Sequence, residues 1–362
     1  MRLFAFCGNS KFRALFEMRS KSSTPPIPQS DYAWFHCASL GEYEQALPVI
    51  ESYIDSHPTT PILLTFFSPS GFNPVIMTPP SWLREGDQIC ALPFDTPIRV
   101  RAFLKGVDYR IKFFATCKYE VWPELMKQLQ GASIYTCIFA AHITQDSALL
   151  KRSLVGAFLR KSWSKFSSIL TQDSCSVESL SLFDIPSKTL GDPRVDRVMQ
   201  LAIDAKPPVE LVNWKGSSQL VVAGSTWRHE EISLTTLPWS TSHKLLIAPH
   251  EIDSAHLSEI LALFNATSQT ASLLSEGRYD TPVIIADTMG QLTSYYHLAN
   301  LAVVGGGFGT GIHNILEPAA HGIRIFTGPN IGRFREAAVL AQCLVGIPAN
   351  VSHDLGDRSI RA

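Results

Sequence analysis

The sequence lacks the patterns that mark several common classes of protein. Its seven cysteines are odd in number and scattered, and no two have the C-x-x-C spacing of a zinc site. We therefore expect reduced thiols, as in a cytosolic protein, rather than a disulfide framework. No apolar run approaches the roughly 20 residues of a membrane-spanning helix. The net charge is only −1, so no nucleic-acid partner is expected.

Motifs of several catalytic and metal-binding classes are also missing. The sequence has no nucleophile elbow, no H-E-x-x-H, no EF-hand loop and no carboxylate-rich metal signature. It also has no D-x-D pair at the end of a predicted strand, which argues weakly against a metal-bridged diphosphate site. We therefore expect neither a metal ion nor a resident cofactor.

What is present fits a well-packed protein of more than one domain. Hydrophobic residues make up 45% of the 362 residues and charged residues 17%, which is typical of a globular chain too long for one ordinary core. Short apolar runs alternate with helical patterns, and this predicts an α/β protein with parallel sheets. The predicted strands are 32–36, 62–67, 89–92, 111–115, 132–139, one that begins at 169–171, 220–223, 244–248, 283–285, 301–304 and 323–326.

A loose polar stretch near residues 205–218 separates two such series, and we place the domain junction near residues 190–215. We predict two Rossmann-like doubly wound domains, residues 31–200 and 201–362, facing each other across a cleft. Residues 1–30 precede them, with five basic residues against one acidic residue and interspersed Leu and Phe. Such a segment fits a membrane-surface element or a frayed, solvated terminus, and both interpretations stay open.

A second basic segment spans residues 147–170, with five basic and no acidic residues. Leu150, Leu154, Phe158 and Phe166 are predicted to share one helical face. We expect that face to pack on the core, with the basic side in solvent. The alternative is a surface that meets anionic lipid or phosphate.

The most informative stretch is 301–329, where an apolar strand runs into a glycine-dense turn and then a predicted helix. Asn314 is the expected N-cap of that helix and Glu317 its capping-box partner. Backbone N–H groups in such a turn can approach an anion closely. Turns of this kind also occur as plain connections, and this one is neither a Walker loop nor a clean G-x-G-x-x-G. A carboxylate one turn into the helix can bind ribose hydroxyls, which favours a nucleotide ligand.

Polar residues follow the predicted strands of the first half, where a parallel sheet opens its ligand crevice. They are Ser39, Glu42, Ser68, Ser70, Asp95, Lys118 and Glu120.

These motifs, taken in order, resemble those of the Kdo transferase family, which moves 3-deoxy-D-manno-octulosonic acid (Kdo) from CMP-Kdo to the lipid A precursor. The resemblance spans residues 32–338 and includes WFHCASLGEYEQA, LPFDTP, KYEVWP, GDPRVDRV, VAGSTW, IAPHE, ADTMGQL and VVGGGFGTGIHNILEPAAHGI. It implies a GT-B-type glycosyltransferase with an N-terminal acceptor domain and a C-terminal CMP-binding domain. It also implies metal-independent inversion and peripheral attachment to the cytoplasmic face of the bacterial inner membrane.

The resemblance implies two catalytic carboxylates. Glu42 matches the proposed general base for the acceptor hydroxyl, and its alternative is an ordinary Glu in the first turn of a helix. Glu120 matches a carboxylate tied to the acceptor or to site geometry, and its alternative is an ion pair with Lys118 or another nearby base. The implied acceptor or cleft residues are Ser39, Gly41, Ser68, Ser70 and Lys118.

The resemblance also implies a donor site for CMP. His250 stands where many relatives have Arg, so a phosphate contact there is less expected. For His313, a contact with the donor and a structural role are both open interpretations. The implied donor residues are Ser225, Thr226, His250, Met289, Gly290, Gly305, Gly306, Gly307, Asn314 and Glu317.

The chain departs from the family pattern at both ends. The N-terminal anchoring segment is reduced to some thirty residues, and the sequence stops soon after Ala337, where relatives continue. We therefore expect a chain shortened at both ends. Two alternatives to Kdo transfer remain: a GT-B glycosyltransferase using another nucleotide sugar, and an inactive protein that binds a lipid precursor or a membrane surface.

Overall fold

The computed structural model describes residues 10–118, 120–309, 311–331, 340 and 344–346. The chain forms two compact units, Met1–Arg197 (unit 1) and Val198–Ala362 (unit 2). It passes from one to the other within one helix.

Unit 1 is an α/β unit with a seven-stranded, wholly parallel sheet of order β3-β2-β1-β4-β5-β6-β7. Proline occupies the first turn of three of its helices, where the missing N–H is not needed. Its strands are β1 Tyr32–Cys37, β2 Ile62–Phe66, β3 Gln88–Ala91, β4 Ile111–Cys117, β5 Tyr135–Ala141, β6 Ser168–Thr171 and β7 Lys188–Thr189. Its helices are α1 Ser10–Lys21, α2 Leu40–Ser56, α3 Pro69–Met77, α4 Pro97–Gly106, α5 Pro123–Gly131, α6 Leu154–Trp163 and α7 Ser174–Ser181, with a 3₁₀ turn at Ala148–Leu150.

The central strands of unit 1 are buried on both faces, as parallel sheets require. Every residue of β1 and β2 is buried. In β1, Trp34 packs with Phe114 in one apolar layer, whereas Phe35 packs with Ala115 in the other. The strand order reverses between β1 and β4, so the segments that follow these two strands meet at one edge of the sheet.

Unit 2 repeats this plan, with strand order β10-β11-β9-β8-β12-β13-β14 and all pairs parallel. Its reversal lies between β8 and β12, where Val304 pairs with Gly224. The strands are β8 Gln219–Thr226, β9 His243–Pro249, β10 Ala271–Leu273, β11 Val283–Ile285, β12 Leu301–Val304, β13 Arg324–Thr327 and β14 Leu344–Gly346. The helices are α8 Pro193–Asp204, which crosses the unit boundary, α9 Val209–Lys215, α10 Arg228–Thr235, α11 Ser254–Ala266, α12 Leu292–Leu298 and α13 Leu316–Ala320, with a 3₁₀ turn at Leu274–Glu276.

Two expectations about local structure are wrong. The strand predicted over 132–139 begins only at Tyr135, because α5 ends in a turn in which Ser133 has a left-handed φ of 57°. The basic segment 147–170 is not one core-facing helix. Phe166 is buried, but Leu154 and Phe158 on α6 are 91% and 57% exposed.

The N-terminal segment is folded where it is described. Residues 10–21 form α1, and Met18 is buried in the apolar layer that contains Phe35 and Phe66. The alternative of a frayed terminus is therefore wrong for these residues. Residues 1–9 lie outside the described part of the chain, as does the tail from 347 on. No helix in the described ranges is both long and apolar enough to cross a membrane.

Candidate functional site

Glu42 lies in the first turn of α2, directly after β1. Ser39 is the extended N-cap residue of this helix, with a φ of −141°, and its side chain makes no capping bond. The Glu42 carboxylate turns back instead and accepts a hydrogen bond from Ala38 N at 2.5 Å. Glu42 therefore also has the structural role of a Glu in the first turn of a helix, because its carboxylate accepts from a backbone N–H at the helix start.

The surroundings of Glu42 act on its charge in opposite directions. Burial raises the pKa of Glu42 above its ordinary value of 4.5, whereas the N–H groups of Ala38 and Ser39 and the positive charge of Lys118 lower it. A carboxylate that is partly desolvated yet still stabilised in its ionised form is suited to accept a proton.

Glu120 follows β4 and lies in the same part of the sheet edge as Glu42. Burial, and then the negative charge of Glu42, raise the pKa of Glu120 to about 7. The ion pairs of the described residues do not include one between Glu120 and Lys118, so the alternative is wrong as far as it concerns Lys118. Lys118, which has a left-handed φ of 66°, acts on Glu42 instead.

The remaining predicted acceptor residues surround the start of α2 and α3. Ser68 N donates to Ala38 O at 2.9 Å, and the hydroxyls of Ser68 and Ser70 are 2.7 Å apart. A Cβ on Gly41 would meet nothing within 4 Å. Asp95 has a structural role, because its carboxylate accepts from the first N–H groups of α5.

The sequence reasoning missed a polar network beside α2. Gln45 is fully buried and donates to Asp192 at 2.7 Å. Asp192 in turn accepts from the backbone and guanidinium of Arg194, and these contacts lower its pKa. The motif GDPRVDRV is visible in the sequence, but only the fold shows that Asp192 in this motif contacts Gln45 of α2.

The glycine-dense turn of unit 2 is packed against the protein's own backbone. A Cβ on Gly305 would lie 2.0 Å from Ser225 O, and one on Gly307 would lie 2.5 Å from Gly328 N. Gly305 N donates to Gly224 O at 3.0 Å, which extends the pairing of β12 with β8. Gly305 and Gly307 are therefore required in part because backbone segments approach each other closely there. This fits the interpretation of the turn as a plain connection without a ligand.

Glu230 on α10 is a second residue that the sequence did not indicate. It is 2% exposed, and its carboxylate accepts from Trp227 N at 3.1 Å and from Gly306 N at 3.0 Å. One N–H of the glycine turn is therefore already bonded to a buried carboxylate.

The predicted capping of the next helix is wrong. Helix α13 begins at Leu316, its N-cap is Ile315, and it has only five residues. Asn314 lies one residue before the N-cap, where its side-chain oxygen accepts from Leu316 N at 3.0 Å. Glu317 accepts from Asn314 at 3.0 Å and from Thr293 at 3.1 Å, so these residues do form one polar cluster.

The other predicted donor residues lie at strand ends of the same sheet edge. Ser225 and Thr226 end β8, and the buried Thr226 hydroxyl donates to Glu231 at 3.0 Å. Met289, which is 69% exposed, and Gly290, with a φ of 84°, lie between β11 and α12.

His250 belongs to a stack of three rings that the sequence did not predict. Its imidazole is 4.6 Å from the Trp227 ring and 4.4 Å from the His313 ring, measured between centroids. Trp227 Nε1 donates to His313 Nε2 at 2.9 Å. Burial and then His250 lower the pKa of His313.

Within the described ranges, no group of three or more His, Cys, Asp or Glu side chains is arranged to hold a metal ion.

Sequence comparisons with known proteins identify a family for this chain. A sequence profile described as 3-Deoxy-D-manno-octulosonic-acid transferase (kdotransferase) matches residues 11–197. The 3-deoxy-D-manno-octulosonic acid transferase of Haemophilus influenzae is 27% identical over 366 residues, which cover 94% of this chain and 80% of the relative. The protein of the same name from Aquifex aeolicus is 29% identical over 302 residues, covering 82% and 75%.

Among solved structures, UDP-GlcNAc 2-epimerase from Neisseria meningitidis bound to UDP-GlcNAc has a TM-score of 0.58 at 12% identity, over 88% of each chain. This likeness concerns the fold alone. Together with the two doubly wound sheets, it defines a GT-B-type architecture of two Rossmann-like units. Within that architecture, the match to the sequence profile over more than half of the chain shows that the chain belongs to the Kdo transferase family. It is a glycosyltransferase, as the resemblance predicted.

Replacing Gly305 by Ala tests the close packing at the glycine turn. The new methyl group would clash with Ser225 O, which is a backbone atom and not the mobile end of a side chain. We therefore expect a loss of about 1–3 kcal/mol or more in the free energy of unfolding. Urea unfolding measures this. Gly309→Ala is the matched control, because its Cβ would meet only Gly306 O at 3.7 Å. Equal midpoints for the two variants would contradict the packing argument.

The raised pKa of Glu120 predicts a dependence of stability on pH. With an ordinary value of 4.5 and a folded value of about 7, the folded state binds more protons than the unfolded state between these limits. Stability contributed by the neutral carboxyl is therefore fully present below pH 4.5 and is lost as the pH rises through 7. Glu120→Gln should remove this loss, so that urea midpoints of the variant and wild type diverge between pH 5 and pH 8. The exposed Glu44→Gln should follow wild type, and a constant difference across that range would refute the assignment.

Proposed function

We propose that this protein transfers Kdo from CMP-Kdo to the lipid A precursor, lipid IVA, with inversion at the anomeric carbon, in lipopolysaccharide core biosynthesis. Membership of the Kdo transferase family supports the transferred sugar. The observation that carries the proposal is the pair Glu42 and Glu120 at the strand reversal of unit 1. Burial raises the pKa of both carboxyl groups, but only at Glu42 do backbone N–H groups and Lys118 oppose the rise.

In the proposed reaction, Glu42 removes the proton from the glucosamine 6′-hydroxyl of the acceptor. The hydroxyl oxygen forms a bond to the anomeric carbon of Kdo, and the bond from that carbon to the CMP phosphate oxygen breaks on the opposite face. CMP leaves with the electron pair. The hydrogen bond from Ala38 N and the charge of Lys118 orient and stabilise the ionised Glu42 that starts this step.

Glu120 has a different proposed role. Its raised pKa keeps a large share of the carboxyl protonated near neutral pH, so that it can donate a hydrogen bond to an acceptor oxygen. A second negative charge beside Glu42 would raise the energy of the ionised base, and a protonated Glu120 avoids this.

The donor is proposed to bind at the carboxyl edge of unit 2. There the strand reversal brings together the ends of β8, β9 and β12, as in other doubly wound sheets that hold nucleotides. The cluster of Asn314 and Glu317 offers carboxylate and amide groups for a ribose. Met289 and Gly290 supply an exposed loop for the base. No cofactor or metal takes part in this scheme.

Glu42→Gln tests the base directly. Loss of a positioned general base costs about 10²–10⁴-fold in rate, so we expect kcat to fall by that factor with the KM for CMP-Kdo little changed. CMP release and mass spectrometry of the lipid product measure it. Glu44→Gln lies two residues on along α2, is exposed, and should retain wild-type turnover.

Two results, one from the turnover assay and one from heat stability with nucleotides, would change the proposal. Unchanged turnover in Glu42→Gln would remove Glu42 as base. A wild-type protein that is stabilised against heat by UDP and not by CMP would favour another nucleotide sugar, since a bound ligand stabilises the folded state.

Peripheral attachment to the cytoplasmic face of the inner membrane is proposed from helix α6. Leu154, Val155 and Phe158 are exposed on this helix, and the basic residues Lys151 and Lys161 lie beside them with no acidic residue in 147–170. An exposed apolar face flanked by positive charge is the pattern of an element that binds an anionic lipid surface.

The double variant Leu154→Ser, Phe158→Ser tests this attachment. Each buried apolar side chain contributes up to about 1.5–3 kcal/mol, so we expect at least tenfold weaker partition to vesicles containing phosphatidylglycerol, measured by co-sedimentation. Ile203→Ser, which replaces an equally prominent exposed side chain on α8, should partition like wild type. Unaltered binding of the double variant would exclude α6 as the contact.

A further inference from the structure

The end of helix α1, the segment that follows it and helix α4 line an open cavity of about 270 Å³ beside the carboxyl end of β3. Its polar lining consists of two arginines and three hydroxyl side chains. They are Arg19, Arg99, Ser22, Ser23 and Thr24.

Arg19 is held in a fixed position by backbone carbonyls and aromatic rings. Its Nε donates to Leu92 O at 2.9 Å and its Nη2 donates to Phe67 O at 3.1 Å. Its guanidinium lies 4.1 Å from the centroid of the Phe94 ring. The guanidinium of Arg99 approaches the same ring at 5.1 Å, so two positive groups converge on one aromatic side chain.

This charge is not balanced within the described residues. The ion pairs formed there include neither Arg19 nor Arg99. Burial lowers the pKa of Arg19 to about 10, and the like charge of the neighbouring Arg99 contributes to this shift. A guanidinium carries five N–H donors, and Arg19 uses one on each nitrogen for backbone carbonyls. Donors therefore remain for an anion.

The chemistry of the lining selects the class of anion. Paired guanidinium groups with nearby hydroxyls match the several oxygens and the double charge of a phosphate monoester. The cavity is also large enough for a phosphate group and part of a sugar.

The position of the cavity relates it to Glu42. The sheet order is β3-β2-β1, and neighbouring strands are about 4.8 Å apart. The ends of β3 and β1 are thus separated by about 10 Å along the sheet. The cavity and Glu42 therefore lie along the same edge of the unit 1 sheet.

We propose that Arg19 and Arg99 form a subsite for a phosphate monoester carried by the sugar acceptor. The subsite rests on the proposed function, since it places the acceptor whose hydroxyl Glu42 deprotonates. It makes Arg99 a determinant of acceptor specificity.

Arg99→Ala tests the subsite in the full-length enzyme. With CMP-Kdo saturating, lipid IVA is compared with its forms lacking the 1-phosphate or the 4′-phosphate. We expect the KM for lipid IVA to rise about tenfold or more in the variant, with kcat little changed, since a hydrogen bond to a charged group contributes about 1.5–3 kcal/mol. One of the two dephosphorylated acceptors should show the same KM with both enzymes. Arg99→Lys should recover part of the affinity, and Arg101→Ala, on the same helix and exposed, should match wild type.

Other results would overturn the subsite. An equal effect of Arg99→Ala on all three acceptors would do so, as would unchanged KM values with normal turnover. A loss confined to binding of phosphatidylglycerol vesicles would assign the cavity to a bilayer headgroup. Heat stabilisation by inorganic phosphate that needs Arg99, without any effect of the acceptor's phosphates, would assign it to free phosphate.

Failure of the proposed function is separable from failure of the subsite. If wild type turns over no acceptor, binding of lipid IVA and of its dephosphorylated forms in detergent micelles is measured without donor. Phosphate-dependent binding that Arg99→Ala weakens at least tenfold would then support the subsite alone, and equal binding by both proteins would overturn it.

Discussion

Parallel strands cannot be joined by hairpins, so each needs a crossover that returns the chain to the opposite end of the sheet. In both units every strand therefore ends at the same edge, and the polar segments that follow the strands collect there. The reversal of strand order selects which of them meet: the starts of α2 and α5 beside β1 and β4, and the start of α10 and the glycine turn beside β8 and β12. The candidate sites follow from this constraint.

Burial at these edges has different consequences for different carboxyl groups. Glu42 loses water but gains the N–H of Ala38 and the charge of Lys118, which favour its ionised form. Glu120 loses water and gains mainly the repulsion of Glu42, which favours its neutral form. Burial raises the pKa of both groups, but only Glu42 has contacts that oppose the rise. The difference between the two carboxyl groups therefore arises from backbone and lysine contacts rather than from residue type.

The strands were predictable because a buried parallel strand is a continuous apolar run. The expected strand 32–36 differs from β1 by one residue, and the edge position of Glu42 followed from it. Trp227 and Glu230 were not predictable, because their contacts with His313 and Gly306 join positions 86 and 76 residues apart and have no local signal. The expectation that the apolar face of 147–170 packs on the core is wrong for another reason. The sequence pattern of an apolar helical face is the same whether the face packs on a core or is exposed, as Leu154 is.

The glycine turn shows how tertiary contacts change the chemistry that a motif suggests. Gly306 N is bonded to the buried Glu230 carboxylate, and the five-residue α13 has little dipole to offer an anion. The turn therefore offers an anion fewer unbonded N–H groups than its glycine content suggests. The His313 ring lies against Gly306, and because its Nε2 accepts from Trp227, its proton is on Nδ1. His250 stacks on the same ring. The stacked rings therefore place imidazole N–H donors beside the turn, which the glycine motif alone does not indicate.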